Sequence, residues 1–388
     1  MGDWKEVLSY VASNVEDQYD ALKMNLRERL GIGPIHLLPY LGHGTPYGLH
    51  ISGRILEDYH VEPAADNDTI WENLHNMYRR FRTKEIPHAR VRARFRDHEE
   101  EVTADDEGIF HINMAWETPL PLNNVWHEVQ LELLDYPDQH VTAMGQVIVP
   151  PPNAQFGVIS DLDDTVIQTD VFNLVAMARN TFLHNSRTRL PFAGVAEFYL
   201  ALQRGTANTY NPIYYVSNSP FNLYDLLMDF FEVRQIPLGP LFLTNLGLTD
   251  EHFFRADPVE HKLGAIDTIL TTHPDLPFVL IGDSGEQDAA IYLEALEKYP
   301  GRIKAIYIRD VTPDREDKRV VEAMAHAADT DVDLLLVEDT VAAAVHAAEH
   351  GLIVPEALPG IRQERTEDQK EPDTLEKIVK QVSKPLSP

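Results

Sequence analysis

Asp161 and Asp163 stand two positions apart, directly after the apolar run Phe156-Gly157-Val158-Ile159. That run, flanked by turn-rich stretches, predicts a buried strand. Residues two apart on a strand project from one side of the pleat, and at its loosening end both carboxylates can converge on a single small ligand. Such a pair suits phosphoryl transfer, in which one aspartate attacks phosphorus and the other moves the proton. Taken alone, Asp-x-Asp-x-Thr has a second, less favoured reading as an acidic turn in an acidic chain.

Three further groups of residues follow in order. The strand predicted at Ile213–Val216 runs into Ser217-Asn218-Ser219, where a hydroxyl and backbone N–H groups can meet phosphate oxygens. His261-Lys262 opens an amphipathic helical segment, so Lys262 can offer its ammonium to a phosphoryl group. The strand predicted at Phe278–Ile281 ends in Gly282-Asp283-Ser284-Gly285-Glu286-Gln287-Asp288. Its glycines allow sharp turns, and its acidic side chains supply hard oxygen ligands of the kind magnesium takes.

This set resembles the four motifs of the haloacid dehalogenase (HAD) superfamily of phosphotransferases. More narrowly, Asp-Leu-Asp-Asp-Thr-Val at 161–166, Tyr-Val-Ser-Asn-Ser-Pro at 215–220 and Gly-Asp-Ser-Gly-Glu-Gln-Asp at 282–288 resemble the catalytic domain of the actin-patch-associated phosphatidate phosphatase family. The resemblance covers roughly residues 155–311. It implies Asp161 as nucleophile, Asp163 as general acid and base, and Ser217, Asn218 and Lys262 as the phosphate cradle. It further implies Mg2+ held by Asp161, the carbonyl of Asp163, and Asp283. Asp288 would act through water or by orienting Lys262. The implied activity is hydrolysis of phosphatidate to diacylglycerol and phosphate. A soluble phosphometabolite or phosphorylated macromolecule stays open as substrate, as does a non-catalytic phosphate-binding module.

The elements that must position these residues follow from the pattern. From 155 onward, apolar strands alternate with helical segments at 213–216, 241–244, 278–282, 304–308 and 332–337, as in an α/β, Rossmann-like domain with a parallel sheet that binds ligands at its strand ends. The gaps after Asp163 and between Ser217 and Lys262 leave room for a small cap or none. Before Pro150-Pro151-Pro152, strands are expected at 47–56, 89–96, 108–114, 126–134 and 140–149. They are preceded by an amphipathic helix over 3–30, and a second helix is capped by Thr69 and Glu72. The order predicts a helix plus a β-sandwich-like domain over 1–150, a catalytic domain over 155–355, and a charged, disordered tail over 358–388 with a short helix near 374–383.

Composition narrows the partners. With 388 residues the chain can form two cores. It has no cysteine, which excludes disulfides and thiol chemistry. The net charge of −29 opposes nucleic acid as a partner and sits awkwardly with an anionic lipid. No apolar stretch reaches the ~20 residues of a membrane span, and the amino terminus lacks a signal-peptide pattern, so a cytoplasmic protein is expected. Arg90, Arg92, Arg94 and Arg96 share one strand parity. They read either as a solvated face paired with Glu99, Glu100 and Glu101 or as a peripheral contact with an anionic membrane. The 17 histidines appear scattered, without metal-ligand spacing, and are read as structural.

Overall fold

The computed structural model describes residues 35–57, 84–121, 124–136, 140–162, 194–244, 247–249, 252–254, 257–284, 287–310, 318–328 and 330–370. The helix expected over 3–30, the capped helix near Thr69, the segment after Asp163 and the short helix near 374–383 lie outside these residues, as do Asp163 and Thr165 themselves. The chain divides into two compact units between Val149 and Pro150.

The first unit is built of strands. Its elements are β1 (Ile35–Pro39), β2 (Gly42–Thr45), β3 (Gly48–Glu57), β4 (Lys84–Glu85), β5 (Arg90–Phe95), β6 (His98–Thr103), β7 (Ile109–Ala115), β8 (Trp126–Leu133) and β9 (Thr142–Ile148). They form one nine-stranded sheet in the order β1-β3-β2-β9-β8-β5-β6, with β4 and β7 also paired to β3. Alternate residues of β5, β7, β8 and β9 are buried, as a half-solvated sheet requires. Val91 and Ala93 of β5 share one core with Phe110 and Ile112 of β7, although four strands separate β5 from β7 in the pairing order. The sheet therefore curls its apolar face onto itself. Strand β6, His-Glu-Glu-Glu-Val-Thr, was not legible as a strand because its residues are almost all exposed.

That edge strand decides the fate of the arginine stripe. β6 pairs antiparallel with β5, setting Arg92 opposite Glu101 and Arg94 opposite Glu99. Arg92 lies 2.5 Å from Glu101 and 3.0 Å from Glu99, and Arg94 lies 2.7 Å from Glu99 and 3.1 Å from Glu132 of β8. Arg90 pairs with Asp135 at 2.8 Å. Arg96 leaves the strand altogether: it sits in the β5–β6 turn with φ of 54°. Of the two readings of the stripe, the solvated, ion-paired face is the one this arrangement supports.

The second unit is α/β. It comprises β10 (Gly157–Asp161), α1 (Val195–Arg204), β11 (Ile213–Pro220), α2 (Tyr224–Val233), β12 (Leu241–Thr244), β13 (Gly247–Thr249), β14 (His252–Phe254), α3 (Pro258–Thr272), β15 (Phe278–Asp283), α4 (Asp288–Lys298), β16 (Ile303–Arg309), α5 (Lys318–Ala327), β17 (Asp333–Val337), α6 (Thr340–Glu349) and α7 (Leu358–Lys370). Six strands form a sheet in the order β12-β11-β10-β15-β16-β17, with every neighbouring pair parallel. The strands expected from sequence are all present, and a short antiparallel ribbon, β13–β14, stands where only loop was expected. Burial of β10 and β15 along their whole length explains their unbroken apolar sequences. Helices α3, α4 and α5 pack on one face through Ile266, Ile269, Ile291 and Val320. On the other face Phe198 of α1 meets Tyr307 of β16.

The polar run after 358 is not a disordered tail from its start. Residues 358–370 form α7, with Ile361 fully buried. Its Glu364 carboxylate accepts the Glu197 N–H in the first turn of α1 at 2.9 Å, and Arg365 pairs with Asp339 at 2.7 Å. Average polarity concealed one buried apolar residue and two charged groups with distant partners.

Candidate active site

The parallel sheet brings the predicted motifs together because its first strand is central. From β10 the chain moves to β11 and β12 on one side, then crosses back to β15 on the other. The switch in direction falls between β10 and β15, where an open α/β sheet leaves a crevice at the carboxyl ends of its strands. Asp161 is the last residue of β10, and Asp283 the last of β15. Ser160 pairs with Ile281, so the two aspartates end neighbouring strands almost side by side. Ser217 belongs to β11, on the other flank of β10.

Lys262 reaches the same point from α3. Asp257 caps that helix by accepting the Val259 N–H at 2.9 Å, with Pro258 at the first helical position. One turn in, the Lys262 ammonium lies 2.6 Å from Asp161 Oδ1 and 2.8 Å from Asp288 Oδ1. Asp161, Lys262 and Asp288 are each at most 2% exposed, so these contacts act in a low-dielectric setting. Asp288, the first residue of α4, also accepts the Asp283 N–H through Oδ2 at 3.0 Å. Both its oxygens are thus engaged, one by the ammonium and one by the strand end. Gly282 makes room for this: a Cβ there would fall 2.4 Å from Asp288 Oδ2.

The end of β11 around Ser217, Asn218 and Ser219 is held from several sides. The Ser217 hydroxyl accepts the Ser219 N–H at 3.0 Å. The Thr244 hydroxyl donates to the carbonyls of Asn218 at 2.9 Å and Ser219 at 3.3 Å. His261 Nε2–H donates to the Ser217 carbonyl at 3.1 Å and to that of Phe242 at 3.3 Å. Burial lowers the His261 pKa, keeping the ring a neutral donor. Behind Asp161, the buried Ser160 hydroxyl contacts the Tyr199 hydroxyl at 2.6 Å and donates to the Asp161 carbonyl at 3.0 Å. Burial pushes the Tyr199 pKa up, so the phenol keeps its proton.

Asp161, Ser217, Lys262, Asp283 and Asp288 therefore gather at one end of the sheet, and Asn218 follows Ser217 on β11 there. Sequence reading missed Thr244, His261 and Gly282 as supports. His261 beside Lys262 and Gly282 beside Asp283 lay within the motifs, whereas nothing next to Thr244 marked it. Among the histidines read as structural, His346 and His350, one turn apart, meet Asp333 at the first residue of β17.

Fold and site define an α/β domain with a lysine-bridged acidic cluster at the switch point of a parallel sheet. Residues 156–310 match the family described as phosphatidate phosphatase APP1, catalytic domain, the family that the three motifs resemble. The chain is 34% identical over 154 residues to phosphatidate phosphatase APP1 of Saccharomyces cerevisiae, covering 39% of this chain and 25% of that protein. It is 32% identical over 158 residues to an uncharacterized protein of Schizosaccharomyces pombe, covering 40% and 25%. The match thus spans about a quarter of the length of these relatives. Among solved structures, a carbohydrate acetylesterase from Xanthomonas citri aligns over 76% of this chain and 66% of its own at 9% identity, with a TM-score of 0.27, too low to bear on the fold.

Proposed function

We propose that the second unit is a HAD-like, Mg2+-dependent phosphomonoester hydrolase and that its substrate is phosphatidate. The observation that carries this reading is the Lys262 ammonium, buried between Asp161 and Asp288 where neighbouring parallel strands end. The substrate class rests on the match of residues 156–310 to a phosphatidate phosphatase catalytic domain. The first unit we read as a β-sandwich-like module.

In the proposed reaction an Asp161 carboxylate oxygen attacks phosphorus in line. An O–P bond to Asp161 forms as the bond to the ester oxygen breaks, and Asp163 protonates the departing oxygen. Asp163 then takes a proton from water as that water attacks the aspartyl-phosphate, releasing phosphate and restoring Asp161. Lys262 sits where it can offset charge on the equatorial oxygens of the transferring group. The Ser217 hydroxyl and the N–H groups near Asn218 would hold the phosphate oxygens.

Asp161 and Asp283, carboxylates on adjoining strand ends, are donors of the hard oxygen type that Mg2+ prefers, and with the Asp163 carbonyl they would hold it. The ion would lower the cost of bringing one anion to another. Asp288, with both oxygens already engaged, is better suited to fix Lys262 than to ligate directly. Among the described residues no helix is long and apolar enough to cross a membrane; the proposed reading is a cytoplasmic enzyme with peripheral access to its lipid.

The test is hydrolysis of p-nitrophenyl phosphate with Mg2+ and after chelation, followed by phosphatidate in mixed micelles against soluble phosphomonoesters. Activity requiring Mg2+ with phosphatidate preferred supports the reading. Preference for a soluble phosphomonoester keeps the chemistry and overturns the substrate. No hydrolysis of any of these would leave a phosphate-binding module.

A further inference from the structure

The end of the sheet away from the strands' carboxyl termini carries a second cluster. His346 and His350 lie one turn apart on α6, so their rings share a face and stack with centroids 3.8 Å apart. Asp333 opens the edge strand β17, which packs beside α6. His346 Nε2 lies 3.3 Å from Asp333 Oδ2, and His350 Nε2 lies 3.4 Å from the same oxygen. The three ligand atoms are all within 4.8 Å of one another.

Two details point to a cation at their centre. His350 Nδ1 lies 2.9 Å from the His346 carbonyl, which can only accept, so Nδ1 carries the proton. In the neutral ring the Nε2 lone pair then faces a carboxylate oxygen, and two lone pairs so placed need a proton or a metal ion between them. The spacing fits a metal: ligand atoms about 2.0–2.1 Å from a tetrahedral zinc are about 3.3 Å apart, although His326 and Glu297 pair at 3.4 Å without a third ligand.

The remaining nitrogens are arranged as metal-bound histidines require. His346 Nδ1 contacts the Tyr307 hydroxyl of β16 at 3.0 Å, and the His350 Nδ1–H is spent on a carbonyl. Such partners leave each Nε2 turned toward Asp333 Oδ2.

We propose that Asp333, His346 and His350 form a first-row transition-metal site of the Zn2+ class, separate from the proposed active site. Imidazole nitrogens select such ions over Mg2+. Three protein ligands leave a fourth position open to solvent, and the ion ties β17, the last strand of the sheet, to α6.

The test is Zn2+ titration of the full chain in excess Mg2+, followed by calorimetry and by the zinc-induced rise in Tm. Wild-type protein should bind one equivalent more than His350→Gln or Asp333→Asn, or bind it at least tenfold more tightly. Both residues are exposed, so the variants should keep their apo Tm and their hydrolysis of p-nitrophenyl phosphate. Asp283→Asn, altered at the other end of the sheet, should keep the extra equivalent. Equal zinc uptake by wild type and both variants, or no zinc uptake by wild type, overturns the proposal.

Discussion

Asp288 holds Lys262 from behind: its Oδ1 lies 2.8 Å from the ammonium, which on its other side meets Asp161 at 2.6 Å. The aspartate at the start of α4 thereby positions a charge on α3 against the end of β10. If this is its role, Asp288→Asn should lower kcat on p-nitrophenyl phosphate by about two orders of magnitude, the scale of losing one preorganised electrostatic group. KM should change far less. Steady-state kinetics decide it, and a dominant rise in KM for Mg2+ would instead make Asp288 a metal ligand.

Gly282→Ala tests the same link without touching a charge. The added methyl would sit 2.4 Å from Asp288 Oδ2 and 2.9 Å from Asp288 Cβ, so α4 or the strand end must shift. The variant should reproduce the kinetic defect of Asp288→Asn and lower Tm. Wild-type kinetics in Gly282→Ala would show that Asp288 is not tightly coupled to the site.

Asp161→Asn retains shape but loses the attacking charge, and turnover should disappear while circular dichroism stays native. Asp163→Asn should also be nearly inactive but should accumulate phosphoenzyme, detectable by acid-quenched radiolabel from a labelled substrate. More than a few per cent of wild-type activity in Asp161→Asn would rule out the covalent route.

Acid stability should carry the mark of His273. Its ring is buried beside Tyr214, 2.6 Å from that hydroxyl, and burial lowers its pKa to about 4. Unfolded, the ring takes up a proton near pH 6.5, so between these values the unfolded state binds more protons than the folded one. Its contribution is complete above about pH 6.5 and is lost progressively as pH falls to about 4. The loss amounts to roughly 3 kcal/mol at 1.36 kcal/mol per unit. Urea titrations of His273→Gln should show a flatter fall in stability across that window than wild type; parallel curves would refute the assignment.

The arginine stripe should prove inert toward membranes. Arg92 and Arg94 face Glu99, Glu101 and Glu132, so little net positive field remains on that strand face. Arg92→Gln with Arg94→Gln should leave co-sedimentation with anionic vesicles unchanged at low salt. A marked drop would return the stripe to the role of a docking surface.

The parts of this protein legible in its residues were those governed by local rules. Continuous apolar runs had to be buried strands, alternation with helical periods required parallel pairing, and Asp161, Ser217 and Asp283 stood at strand ends. Those regularities alone put the site at one end of the sheet. What tertiary structure decided was which partner each charged side chain met. Asp288 turned inward onto Lys262, the glutamates of β6 neutralised the arginines of β5, and Glu364 reached back across the chain to Glu197. Asp333 likewise met two histidines that looked unremarkable by spacing alone. The cause is physical. Backbone conformation and burial follow from neighbours a few residues away, whereas a charge takes its partner from whatever the packed elements place within a few ångströms of it.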